Sequence, residues 1–468
     1  MEVPLISIAY ISIGLICLLK RKWLIKFAII VLPLTTIALV NVYVEPVFSI
    51  NLSQYGIILM FVFLVLQKAI KKRDYVPLPR SQIILMSSFI LFIPISWIAL
   101  KNPDLYTLLY VSGIYYPTQI HFSPQHISKA LYAIFGFFVF IVTYETLSFS
   151  NFRVIAKAFI LSGFLMALLG LFDFIFPEQM EWLRKILIPP NVSMGGSLGY
   201  EPIVGWGGVQ RVYGLMWEAG GLAEYLLGIT FFMLANLVLN NVLLGKLKDR
   251  LILLTLAITT IFTGSTSILV AIFLFPIMVL FTSLSIRKTV VSIWFRGAGI
   301  ALLLLLIIWG FSFVYPDNIG YFYEWTLYKL RLAGEIGGGA REGGSLELLK
   351  IFPQSPVIGL GLGSVGFESS VFGAGLIMLL VNVGIIGTLL YILVMISIIK
   401  ESLKKSRYDD SKNYPFRIGF LWAFILLLTI ELLGRGLAIL HTPHLWFLAG
   451  VCIAVAQKPQ DVTHKMMS

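Results

Sequence analysis

The chain has 468 residues, of which 58% are hydrophobic and 12% charged, and its mean hydropathy is +0.91. A soluble globular protein carries about 25% charged residues, so an ordinary soluble enzyme is excluded. The net charge is +12, but the basic residues gather in short loops between apolar segments, which is the signature of membrane topology and not of nucleic-acid binding.

Apolar stretches of about 20 residues recur along the whole length, as bilayer-spanning helices require. In chain order the candidate spans are 3–19, 24–43, 53–67, 83–100, 127–147, 155–176, 213–238, 251–263, 266–285, 298–315, 372–399, 418–433 and 443–457. The expected fold is all-α. It is a polytopic transmembrane helical bundle of about 12–13 spans, forming one integral membrane domain over 1–468. Basic clusters at Lys20-Arg21-Lys22, Lys68 to Arg80, Arg153 with Lys157, Lys246 to Arg250, Arg287 to Arg296 and Lys400 to Arg417 assign those loops to the cytoplasm. The basic residues follow the first apolar run instead of preceding it, so a cleaved leader is not expected and the N-terminus is placed outside. Cys17 and Cys452 lie within apolar segments and are read as packing residues.

The outer connections differ in length. Residues 101–126 carry aromatics and proline and are read as holding a partly inserted helix. Residues 177–212 are rich in proline and glycine. The 251–263 and 266–285 spans form a hairpin turning at Thr263-Gly264-Ser265. Residues 316–371 form a large, partly helical outer loop with an amphipathic stretch at Tyr321 to Leu332. Connections of that length in a compact protein are functional or disordered.

One short run, "VQRVYGLMWEAGGLAEYL" from Val209 to Leu226, concentrates charge at a helix mouth. Arg211 and Glu218 stand seven residues apart, about two helical turns, and can share a face. Charge at the edge of a membrane helix is costly and reads as functional by default. Arginine grips phosphate oxygens bidentately at any pH, so Arg211, Arg331 and Arg341 are the candidates for an anionic headgroup, and each has the alternative of a solvated or lipid-anchoring residue. Glu218 is a candidate general base or a partner that fixes Arg211. Glu224 shares that ambiguity, and Glu335 and Glu342 belong to the large loop. His121, His126, His441 and His444 fall on the outer side without metal-ligand spacing, so no metal site is expected; His441 or His444 is either a base or an interfacial hydrogen-bonding group. "GLGLGS" at Gly359 to Ser364 lacks the strand–helix context of a nucleotide loop. Its glycines are read as allowing close backbone packing before the next span.

These residues resemble the O-antigen ligase and O-antigen polymerase superfamily of bacterial envelope enzymes over roughly residues 205–390. Arg211-x-x-Gly214 followed by Glu218-Ala-Gly-Gly-Leu is similar to the family's Arg-x-x-Gly segment. "FTGSTSILVAIF" from Phe262 looks like its Ser-Arg-Ser/Thr hairpin, with Thr266 where arginine is frequent. "AREGGSLELLKIFPQSPVIGLGLGS", Ala340 to Ser364, looks like its outer-loop arginine with the later Pro and Gly-x-Gly run. "VNVGIIGTLLYILV", Val381 to Val394, looks like its Gly-x-x-Gly helix. Ligases carry a histidine ahead of that helix, and here Gly373-Ala374 stands in its place, which favours the polymerase branch.

The resemblance implies a metal-independent glycosyltransferase of the bacterial cytoplasmic membrane, polymerising polyprenyl-diphosphate-linked repeat units at its outer face without a cofactor. Arg211, Arg341 and Glu218 are the expected catalytic residues; Tyr213, Arg331, Glu335 and His441 are the expected substrate-binding residues. The partners implied are the lipid-linked glycan donor, a glycan acceptor, membrane lipid, and a chain-length regulator or other envelope assembly protein. The alternatives are ligase-type transfer of finished polymer to an envelope acceptor, and transport of lipid or polysaccharide.

Overall fold

The protein is a multi-pass bundle of α-helices with two small β-hairpins at one end. The computed structural model describes residues 4–42, 48–71, 77–111, 114–148, 151–188, 212–216, 219–265, 267–285, 340–365, 374–404, 413–434, 440 and 442–457. The helices are α1 (Leu5–Leu18), α2 (Arg21–Val31), α3 (Leu52–Lys71), α4 (Arg80–Ser96), α5 (Pro124–Ser148), α6 (Phe152–Ile175), α7 (Pro177–Leu187), α8 (Ala219–Val238), α9 (Lys246–Phe262), α10 (Ser267–Ser285), α11 (Ala340–Ile351), α12 (Gly375–Lys404), α13 (Tyr414–Gly434) and α14 (Pro443–Gln457). Among the described residues seven helices, α3, α4, α5, α6, α8, α12 and α13, are long and apolar enough to cross a membrane, and α1, α10 and α14 are shorter apolar helices. The expected span at 298–315 and the amphipathic stretch at 321–332 lie outside the described residues.

Two outer regions differ from the sequence expectation. The stretch 24–43 is not one span: α2 stops at Val31, and β1 (Ala38–Val42) then pairs antiparallel with β2 (Phe48–Asn51). Pro33 lies two residues past the helix end, where a missing N–H ends the ladder, and the β-branched Val40 and Val42, two residues apart, suit a strand. In the same way 101–126 holds no inserted helix; β3 (Tyr106–Val111) pairs with β4 (Ile114–Gln119). Its runs Tyr-Thr-Leu-Leu-Tyr-Val and Ile-Tyr-Tyr are aromatic and β-branched, the composition of a hairpin. The turn at 263–265 does join α9 to α10 as expected, with Gly264 at φ +57°.

Local signals set several helix starts. Asn51 and Gln54 cap α3 reciprocally: the Gln54 N–H donates to Asn51 Oδ1 at 2.9 Å and the Asn51 N–H to Gln54 Oε1 at 3.0 Å, a capping box. Asn151 caps α6 by accepting from the Arg153 N–H at 2.9 Å. Pro177 opens α7, which carries Glu178 in its first turn and Arg184 and Lys185 in its last, in accord with the helix dipole.

The bundle has a basic end and a loop end. At the basic end, Arg21 donates to the Thr146 carbonyl, Lys68 pairs with Glu145 at 2.8 Å, and Gln82 donates to Ser397 at 2.9 Å. These contacts join the start of α2, the ends of α3 and α5, the start of α4 and the later half of α12. The opposite tips meet in turn. Thr36, beyond α2, donates to the Leu215 carbonyl at 2.7 Å. Trp97, beyond α4, donates to the Leu362 carbonyl at 3.0 Å. Small residues bring helices together: a side chain at Gly136 of α5 would strike the Leu440 carbonyl and Trp446, and one at Gly450 of α14 would meet Phe140 and Thr143 of α5, as membrane helix interfaces favour. At the centre Phe159, Tyr225, Phe232 and Phe420 interlock with ring centroids 4.5–6.1 Å apart. Outward-facing apolar side chains such as Leu91 and Phe273 are about 70% exposed, as a lipid-facing surface requires.

Candidate functional site

The tail of the Arg-x-x-Gly segment, Val212–Met216, is a tight turn buried at the loop end. Asp173, near the end of α6, accepts from the N–H groups of Tyr213 and Gly214, each at 3.0 Å, through one oxygen, Oδ2. The same oxygen pairs with Arg184 of α7 at 2.5 Å. Arg184 then closes a ring of contacts: its Nε donates to the Gly214 carbonyl at 2.7 Å, its NH1 to the Tyr213 hydroxyl at 3.2 Å, and its guanidinium lies 3.9 Å over the Tyr213 ring. Arg184 is 3% exposed and Asp173 1%. Gly214 sits at φ +56°, a conformation glycine adopts without Cβ strain. Burial pushes the Tyr213 phenol above its ordinary range, and the Arg184 charge pulls in the opposite direction. Opposite charges in contact, each further hydrogen-bonded, are the arrangement that makes a buried ion pair tolerable.

A second joint lies where the large outer loop returns to the bundle. Residues 356–365 pair with a break in α12 at Gly384, whose φ of +66° and ψ of −172° are non-helical. The Leu360 and Gly361 N–H groups donate to the Val381 and Asn382 carbonyls, and the Ile385 and Ile386 N–H groups to the Pro356 and Val357 carbonyls. Asn382 Oδ1 accepts from the Gly363 and Val365 N–H groups at 3.0 and 3.2 Å. Gly359 is at φ +78°, and a Cβ there would collide with the Asn382 carbonyl. The glycine run therefore provides the close backbone packing expected of it. Ser364 faces His126 Nε2 of α5 at 3.1 Å, and Gln354 accepts from the Tyr106 N–H at 3.0 Å, so loop, hairpin and helix ends are fastened together. Ser345 of α11 accepts from the Ala374 N–H at 2.9 Å. The backbone of α11, whose second residue is Arg341, is thus fixed against the start of α12 at the loop end, one helical turn from that contact.

The third feature is a cluster of acids and histidine inside the bundle. Glu224 of α8, Glu431 of α13 and His444 of α14 bring one carboxylate oxygen each and one ring nitrogen within 4.8 Å of one another. Their exposures are 2%, 0% and 4%. Thr442 donates to Glu431 Oε1 at 2.7 Å, and the Tyr225 ring meets the His444 ring edge-on at 5.8 Å.

Of the sequence-derived site residues, Arg211, Glu218, Arg331, Glu335 and His441 lie outside the described residues, and Arg341 is described as backbone within α11. Tyr213 is described and is held in the Asp173–Arg184 clasp. Asp173 and Glu431 did not figure in the sequence reading. Their detectable signal was the rarity of ionisable residues within apolar spans. Spacing along the chain gave no metal-type donor set; the fold gathers one from three helices. No protein-family model matches the chain, and comparison with curated proteins finds no significant match.

Proposed function

We propose that the protein is a glycosyltransferase that polymerises polyprenyl-diphosphate-linked repeat units at the outer face of a bacterial cytoplasmic membrane. The observation that carries this reading is the clasped turn Val212–Met216, which follows Arg211 directly in the chain and lies at the end of the bundle remote from the basic loops. The backbone of α11, carrying Arg341, is fastened at the same end. Two fastened segments on the non-basic side, one following Arg211 in the chain and one carrying Arg341 in its backbone, suit a lipid-borne diphosphate.

In this mechanism an acceptor sugar hydroxyl attacks the anomeric carbon of the donor. The new glycosidic bond forms as the anomeric C–O bond to the diphosphate breaks, and the diphosphate leaves with that electron pair. A single displacement inverts the anomeric centre. Arg211 and Arg341 hold the diphosphate oxygens and stabilise the charge that grows on them. Glu218 takes the hydroxyl proton. Arg331, Glu335 and His441 line the headgroup and acceptor positions, and Tyr213, held by Arg184, fixes the turn beside them. The reacting centre uses no metal or cofactor. The polymerase version is preferred to the ligase version because Gly373 stands where ligases carry a histidine.

The test is polymer length in a deletion strain complemented with variants. Arg211→Ala and Arg341→Ala each abolish polymer while lipid-linked repeat units accumulate and membrane levels of the protein stay normal. Lysine at either position restores little, because the bidentate fork is lost. Glu218→Gln reduces polymer strongly. Normal-length polymer from any of the alanine variants removes that residue from the site, and one-step transfer in place of a ladder of products moves the protein to the ligase class.

A further inference from the structure

We propose that Glu224, Glu431 and His444 bind one divalent transition-series cation, zinc or manganese, that ties α8, α13 and α14 together inside the bundle. This inference does not depend on the glycosyl-transfer reading. Three kinds of observation support it: donor chemistry, convergence and burial.

The donors are two carboxylates and one imidazole. Imidazole with carboxylate suits zinc, manganese or iron, whereas magnesium and calcium take oxygen ligands. The residues come from three helices and meet inside the bundle with their ligand atoms within 4.8 Å. Ligands about 2.1 Å from a cation stand at most about 4.2 Å apart, so closing the trio onto a metal needs side-chain movement of less than about an ångström. Glu224 and Glu431 are 2% and 0% exposed, where a carboxylate is poorly solvated by water and a bound cation would stabilise it.

The surroundings orient the donors as a supporting shell orients metal ligands. The Thr442 hydroxyl donates to Glu431 Oε1, which turns one carboxylate. The Tyr225 ring meets the imidazole of His444 edge-on and is itself fixed by its hydroxyl donating to Ser162 at 2.8 Å and by Phe159. Glu224 lies in the second turn of α8, Glu431 in the last turn of α13 and His444 in the first turn of α14. A cation there clamps three helix ends directly beneath the loop-end surface. Its role is to hold the bundle and not to take part in bond making.

The experiment uses the full chain purified in detergent and desalted. Metal content is measured by plasma mass spectrometry for the wild type, for Glu224→Gln with Glu431→Gln, and for His444→Gln. The expected result is about one zinc or manganese per chain in the wild type and a fall of about tenfold or more in the variants. The thermal midpoint of the wild type should drop on chelation and recover on adding zinc or manganese but not magnesium. Should the variants fail to fold, cobalt titration of the chelated wild type decides instead, since a bound cobalt with a mixed nitrogen–oxygen ligand set gives visible absorption at one equivalent. Metal below stoichiometry with neither a thermal response nor a cobalt spectrum overturns the proposal. Metal retained equally by the variants does so too, since it identifies adventitious binding elsewhere.

Discussion

Two buried charge clusters share the loop end of this bundle, and they differ in how they are composed. Asp173 and Arg184 are opposite charges in contact, and among the described residues their links close on the turn Val212–Met216. Glu224 and Glu431 are like charges brought together with a histidine. The first cluster carries its compensation within itself and fixes a backbone. The second gathers donors around a point, which is the geometry of a ligand-holding site. Burial alone therefore does not separate a structural charge from a binding one; what the contacts converge on does.

Breaking that contrast gives the largest expected effect. Asp173→Ala or Arg184→Ala strands its partner in the bundle and should cost about 3–5 kcal/mol, read as a loss of thermal stability in detergent. The double replacement Asp173→Leu with Arg184→Met should recover much of it. Chelators should leave the size of these losses unchanged, whereas they should erase most of the stability difference between wild type and Glu431→Gln. Acidification sharpens the same contrast. Protons compete with metal for imidazole and carboxylate, so the stabilisation by added zinc should be present at neutral pH and vanish as pH falls. A zinc effect that survives acid would place the metal on other ligands.

Smaller effects test the joints around the two clusters. Gly384→Ala combines a positive φ with a Cβ that would collide with the Val357 carbonyl, and should cost about 1–3 kcal/mol. Thr36→Val removes the hydrogen bond to the Leu215 carbonyl and should cost about 1 kcal/mol. A Thr36 effect equal to that of Asp173 would mean that the turn is held chiefly by α2 and not by the clasp.

Much of the bundle was legible in the sequence because hydropathy and the placement of lysine and arginine report directly on the solvent of each segment. The α9–α10 hairpin, for instance, follows from two basic flanks separated by too few residues for any other path. The β1–β2 and β3–β4 hairpins were missed because apolar strands and apolar helices look alike to a hydropathy average; the β-branched Val40 and Val42 and the stop at Pro33 were the finer signals. In the candidate site, Arg211 and Glu218 drew notice as charges at a helix mouth. Asp173 passed unnoticed, although an acid in an apolar span is the same kind of signal. The Glu224–Glu431–His444 grouping was not legible, since its members are separated by 207 and 13 residues and only the packing of α13 between α8 and α14 brings them together.

The seam between residues 356–361 and the crack in α12 has a consequence for how this region opens. The amides of Leu360, Gly361, Ile385 and Ile386 are each bonded to a carbonyl on the other segment, so neither strand of the seam can release its protons alone. In deuterated solvent those four amides should exchange at one shared rate, marking a single cooperative unit that links the outermost turns of a transmembrane helix to the loop arching over them.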